Sequence, residues 1–201
     1  MPADAEELYP LATYCFRHPQ SFGRGFQILI EAMTGIRTGE ALALRMDAKQ
    51  PPDAGLIQGK HLWLHRAKGG CNPWAVIHDD LAAVIEAHHA WHAANHSNNP
   101  YWFPHRDSKT RPAETSAMTQ QLRRAAKALG TPARTSHGLR AYYVTVRRSQ
   151  GIPDGQIAAE IGDRTGASII ASTYGEIPPN WQGGAGMSWT VPGKPFPWVA
   201  N

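Results

Sequence analysis

Three apolar segments with helical spacing in this chain stop at a glycine, which cuts the fold into separate packed helices rather than one rod. Phe22, Phe26, Leu29 and Met33 recur at helical intervals and Gly35 follows them. Met118, Leu122, Ala125 and Leu129 repeat the pattern before Gly130, and a helix over 137–150 closes at Gly151. Glycine takes the left-handed conformation that ends a helix without the penalty a side chain brings. Ser116 and Ser136 stand at N-cap positions. Thr38, with Glu40 in the first turn, caps a helix through Ala41-Leu42-Ala43-Leu44. Asp79 or Asp80 opens a helix over 81–94, Pro153 starts a short one carrying Ile157 and Ile161, and 167–174 forms the last.

Only one stretch has the two-residue period of a strand. Leu62 and Leu64 alternate with His61, Trp63 and His65, and Trp74 and Val76 resume the alternation after Lys68-Gly69-Gly70. The fold class expected is α+β, mainly helical, with one small antiparallel sheet at about residues 54–78. Residues 176–201 change character: Pro and Gly accumulate around Trp181, Trp189 and Trp198, so 1–175 reads as one domain and 176–201 as an irregular tail.

Composition removes several function classes. The apolar runs at 26–33 and 81–85 are too short to span a bilayer, so no membrane role is expected. The acidic start lacks an export signal, and Cys15 and Cys71 cannot make a disulfide framework; a cytoplasmic setting is expected. Net charge is +4, and Arg123, Arg124, Lys127, Arg134, Arg140, Arg147 and Arg148 crowd into one region, which suits either a polyanion partner or a solvated helix face.

Three short segments carry chemistry. Thr34-Gly35-Ile36-Arg37-Thr38-Gly39-Glu40 sets an arginine in a turn between glycines, where backbone can approach a ligand. His137-Gly138-Leu139-Arg140 puts a histidine and an arginine on one helix face. Ile161-Gly162-Asp163-Arg164 precedes Ser172-Thr173-Tyr174-Gly175. In this order and at these separations, the segments over 22–174 resemble the catalytic domain of the tyrosine recombinases, the phage-type integrases.

The resemblance implies site-specific cutting and rejoining of double-stranded DNA through a 3′-phosphotyrosyl intermediate. Arg37 and Arg140 would grip the phosphate, Tyr174 would attack it, and Lys68 in the hairpin turn would protonate the leaving hydroxyl, with Lys60 the fallback. His137 would orient or deprotonate Tyr174 or bond the phosphate. Glu40 reads as a structural partner of Arg37. The family needs no cofactor and no metal, and acts as a homo-tetramer on DNA, with a monomer possible off it. The 176–201 tail would dock on a neighbour, fold back, or stay mobile.

Three departures accompany the resemblance. Asp163 stands where the family usually has His or Trp. The interval to Tyr174 is longer than usual, and the residues before Phe22 are too few for the family's N-terminal helical domain, as in an excised domain or a short relative. A DNA-binding module of the same fold without strand transfer is therefore the alternative, and a type IB topoisomerase a more distant one. A separate signal is His88, His92 and His96, spaced four apart as metal ligands are but without a matching carboxylate or cysteine. A surface helix rich in Ala and His is the favoured reading there.

Overall fold

The computed structural model describes residues 5–65, 74–163 and 170. Its elements in chain order are α1 (Ala5–Phe16), a 3-10 turn (Pro19–Ser21), α2 (Phe22–Thr34), α3 (Thr38–Leu42), β1 (Ile57–Gln58), β2 (His61–Trp63), β3 (Trp74–Val76), α4 (Asp79–His96), α5 (Thr115–Leu129), α6 (Ser136–Ser149) and α7 (Asp154–Glu160). It is the mainly helical α+β architecture expected, with one small sheet. No helix among the described residues is long and apolar enough to cross a membrane.

Helix α2 is the axle. Every residue from Gly25 to Thr34 is buried, because α1, α4 and α6 pack around it. Two glycines make the close approach possible: a Cβ on Gly25 would lie 2.7 Å from the Phe16 ring, and one on Gly23 would lie 2.5 Å from Trp91. Phe16, Phe22 and Phe26 meet edge to face at 4.8 to 5.7 Å between centroids, and Trp91 of α4 closes the cluster. Such aromatic contacts add about 0.5–1.5 kcal/mol each beyond the area they bury.

Some expectations need correction. The helices expected begin at Phe22, yet α1 precedes them and buries Leu8, Leu11, Ala12, Cys15 and Phe16. Pro10 hides it in the sequence, although a proline in the second turn forfeits few hydrogen bonds. In the hairpin, Leu62 pairs with Ala75 and His61 with Val76. Ala75 and Ile77 therefore face inward with Leu62 and Leu64, while Val76 is half exposed and Trp74 only partly covered. Register outranks side-chain size there. Leu129 is also exposed, and Ala126 takes the core position at the end of α5.

The histidines of α4 are structural. His88 and His92 turn inward and donate from Nε2 to the carbonyls of Trp102 and Tyr101, both at 2.9 Å. Burial and neighbouring histidines push the His88 imidazole down to about 3, so it is neutral. Among the described residues, no group of three or more His, Cys, Asp or Glu side chains is arranged to hold a metal ion.

Candidate active site

The site begins where α2 stops. Gly35 takes φ 65°, and its N–H returns to the Glu31 carbonyl at 2.9 Å, closing the helix with a left-handed residue. Ile36 is buried, which anchors the turn, and Arg37 follows with extended backbone as the N-cap of α3. The cap thus falls on Arg37, one residue before the expected Thr38. Thr38 instead points inward, its hydroxyl donating to Glu31 Oε2 at 2.8 Å. Glu40 does the capping: its Oε2 accepts the Arg37 backbone N–H at 2.9 Å, and its Oε1 pairs with Nη1 of the same arginine at 3.2 Å. Glu40 is itself buried, so it fixes the base of the Arg37 side chain while the side chain stays 38% exposed. That is the structural role expected for it.

Arg140 arrives from α6. It is buried because Leu139, Tyr142 and Tyr143 press α6 onto the rest of the fold. Its Nη1 donates to the Gly35 carbonyl at 2.6 Å and to the Ile161 carbonyl at 3.0 Å. One guanidinium thereby ties the ends of α2 and α7 together, and these bonds leave little freedom in its position.

Asp163 joins the two arginines. Its Oδ2 lies 3.7 Å from Arg37 Nη2 and 3.8 Å from Arg140 Nη2. These distances are long for hydrogen bonds but short for charge, so the two guanidiniums converge on one oxygen atom. His137, at the first turn of α6, feels both. Its imidazole is held below the usual histidine range, first by partial desolvation and then by the charges of Arg140 and Arg37. A neutral imidazole accepts a proton or a hydrogen bond at neutral pH.

The structure therefore brings together Arg37, Arg140, His137 and Asp163. Lys68, on the connection between β2 and β3, and Tyr174 lie outside the described residues. Lys60 sits at the β1–β2 turn with its ammonium on Asp79 at 3.2 Å, exposed on both sides. Sequence reasoning misses Glu31. This fully buried carboxylate accepts from Gln27 at 2.7 Å and from Thr38 at 2.8 Å, directly behind the Arg37 turn. A glutamate inside the apolar run of α2 is the signal that could have found it.

Neither the protein-family models nor the curated proteins give a match to this sequence. Solved structures do. XerA recombinase superposes with a TM-score of 0.65 at 18% identity, over 85% of this chain and 58% of that one. XerH site-specific recombinase bound to its palindromic difH substrate gives 0.63 at 16% identity, over 85% and 48%. The Tn1549 transposon integrase in complex with circular intermediate DNA gives 0.66 at 12% identity, over 88% and 62% of the two chains. The fold is that of the tyrosine recombinases.

The chain spans about half to three-fifths of the length of these neighbours. Within a tyrosine-recombinase fold, the two arginines sit on elements far apart in sequence, and the fold alone makes them neighbours. The Asp163 carboxylate lies at their meeting point.

Proposed function

We propose that residues 1–175 form the catalytic domain of a site-specific recombinase or integrase. It cuts and rejoins double-stranded DNA through a 3′-phosphotyrosyl intermediate on Tyr174. The observation that carries this reading is the convergence of Arg37 and Arg140 on one point, with the His137 imidazole in the field of both. A phosphodiester under attack gathers charge on its non-bridging oxygens, and two fixed guanidiniums stabilise that charge without a metal ion. Support of a second kind comes from the neighbours. XerH was solved on difH in a post-cleavage complex, and the Tn1549 integrase with its circular intermediate DNA.

In this reading the Tyr174 phenol oxygen attacks phosphorus, the bond to the 5′-oxygen breaks, and Lys68 gives that oxygen its proton. His137 takes the phenol proton or bonds a non-bridging oxygen. The phosphotyrosyl bond keeps the energy of the broken ester, so a 5′-hydroxyl reverses the reaction without ATP or any cofactor. Four copies would act on two DNA sites, and the 176–201 tail would contact a neighbouring copy or its own domain. The setting would be cytoplasmic.

The test is trapping on a nicked suicide duplex carrying a site selected from a random pool by the protein itself. A covalent adduct that survives denaturant is expected, absent from Tyr174→Phe and formed about a hundredfold or more slowly by Arg140→Ala. One observation favours a second reading: the Asp163 charge sits between the arginines, where it opposes a phosphate. Selective binding of the pool-derived site with no adduct at any pH would identify a DNA-binding module instead.

A further inference from the structure

Asp163 does not hang on a loose loop. Helix α7 ends in a paired left-handed closure: Gly162 takes φ 67°, its N–H reaches the Ala159 carbonyl at 3.0 Å, and the Asp163 N–H reaches Ala158 at 2.7 Å. The backbone of Asp163 is thereby fixed by α7, whose Ile157, Ala158 and Ile161 are buried. Arg140 is fixed as well, by the carbonyls of Gly35 and Ile161, the second belonging to the same closure. The Asp163 backbone and the Arg140 guanidinium are therefore both fixed by backbone bonds, and the Asp163 side chain is only 15% exposed.

Among the described residues, the charges at this point cancel. Arg37 and Arg140 bring two positive charges; Glu40, at 3.2 Å from Arg37, and Asp163, near both, bring two negative ones. His137 adds none when neutral. A phosphate approaching the clamp meets no net attraction from these groups while Asp163 remains there, and a carboxylate beside a phosphate oxygen repels it at short range. The Asp163 oxygens also present what the arginines would otherwise bind, an anionic oxygen at the junction of two guanidiniums.

Resting on the reading of the clamp as a phosphate site, we propose that Asp163 is an internal competitor for the phosphate. Its carboxylate holds the Arg37–Arg140 clamp at rest, and a phosphate group enters by taking its place. Asp163 thus sets how strongly the site binds its substrate. The substrate's own binding energy, from interactions elsewhere along the DNA, is what moves the carboxylate aside. Weak ligands that offer only a phosphate group are held poorly, so free phosphate and stray nucleotides do not occupy the site.

Inorganic phosphate is the probe that isolates this step, because it needs no DNA sequence. The full chain, labelled with 15N at arginine, is titrated with phosphate while the Arg37 and Arg140 Nε–H resonances are followed. Asp163→Asn keeps the side-chain shape and removes the charge, and Asp163→Ala removes both. Both variants should bind phosphate at least about tenfold more tightly than the wild type. Adding Arg140→Lys to Asp163→Asn should erase the gain. Unchanged or weaker binding in both variants overturns the proposal and makes Asp163 an aligner of the arginines. A gain that survives Arg140→Lys also overturns it, since the phosphate then sits elsewhere. A gain without any Tyr174 adduct on DNA upholds the competitor and removes strand transfer; an adduct without a gain does the reverse.

Discussion

Glu31 is a carboxylate with no exposure to water, held by Gln27 and Thr38 and in the field of Arg24. Burial outweighs these partners and pushes its carboxyl up to about 7, from 4.5 for the exposed group. The folded protein therefore keeps this proton to higher pH than the unfolded chain does. The stability it contributes is full below about 4.5 and is lost as pH climbs through about 7, a contribution of about 3 kcal/mol. His88 has the opposite sign. Held down to about 3 by burial, it stays neutral when folded, so its contribution is present above 6.5 and lost as pH falls toward 3. Between 4.5 and 6.5 the two slopes oppose each other. Glu31→Gln should expose the His88 slope, so that stability rises with pH there by about 1.4 kcal/mol per unit more than in the wild type. Urea unfolding at a series of pH values reads this directly, and parallel curves for the two proteins would end the idea.

At the scale of elements, the glycines on either side of Arg37 are not equivalent. Gly35 holds φ 65°, and a Cβ there would lie 2.7 Å from Ile161 and 2.8 Å from Tyr143. Gly39 lies within α3 with nothing inside 4 Å of its Cβ position. Gly35→Ala should therefore cost about 2–4 kcal/mol, combining left-handed strain with a forced shift of α6 and α7. Gly39→Ala should be neutral or stabilise by up to about 1 kcal/mol. Thermal unfolding of the pair checks both, and equal losses would contradict the asymmetry. The sequence makes α2, α5, α6 and α7 legible to within a residue or two, because each carries its apolar period and its own stop; α3, which has no stop of its own, ends sooner than its apolar run suggests, at Leu42. It hides α1 behind Pro10, and it puts Val76 on the wrong face because strand register is decided by the partner strand. For the site, motif order is enough to single out Arg37, His137, Arg140 and Asp163. That Asp163 needs an arginine partner such as Arg140 or Arg164 is readable from its charge, but its pairing with Arg37 as well is not, since that depends on where α7 ends relative to Gly35. Nor is the burial of Glu31, which depends on three helices closing around α2.

Across the whole molecule, five of the seven basic residues that form one cluster in the sequence divide into two populations. Arg147 makes two bonds to Glu160, at 2.9 and 2.6 Å, and Arg148 two to Asp154, at 2.8 Å each, so these charges fasten α6 to α7. Arg123, Arg124 and Lys127 lie on the later turns of α5, Arg123 and Arg124 beside one another and Lys127 in the last turn, all outward-facing. A short connection leads from there to the start of α6, where His137 and Arg140 sit. At 1.5 Å per residue, Arg123 lies about 9 Å along the helix from its end. The two populations should respond to different measurements. Each of Arg123→Ala, Arg124→Ala and Lys127→Ala should weaken duplex binding and reduce the slope of log K against log salt by about 0.9 for every phosphate left without its cation. Arg147→Ala should leave that slope alone and instead destabilise the fold by about 2 kcal/mol, because Glu160 is largely covered and would give up a forked guanidinium partner. Fluorescence anisotropy on one duplex over a range of salt, beside urea unfolding of the same variants, separates the cases. A slope change from Arg147→Ala, or none from the three α5 variants, would move the DNA path away from α5 and detach it from the clamp.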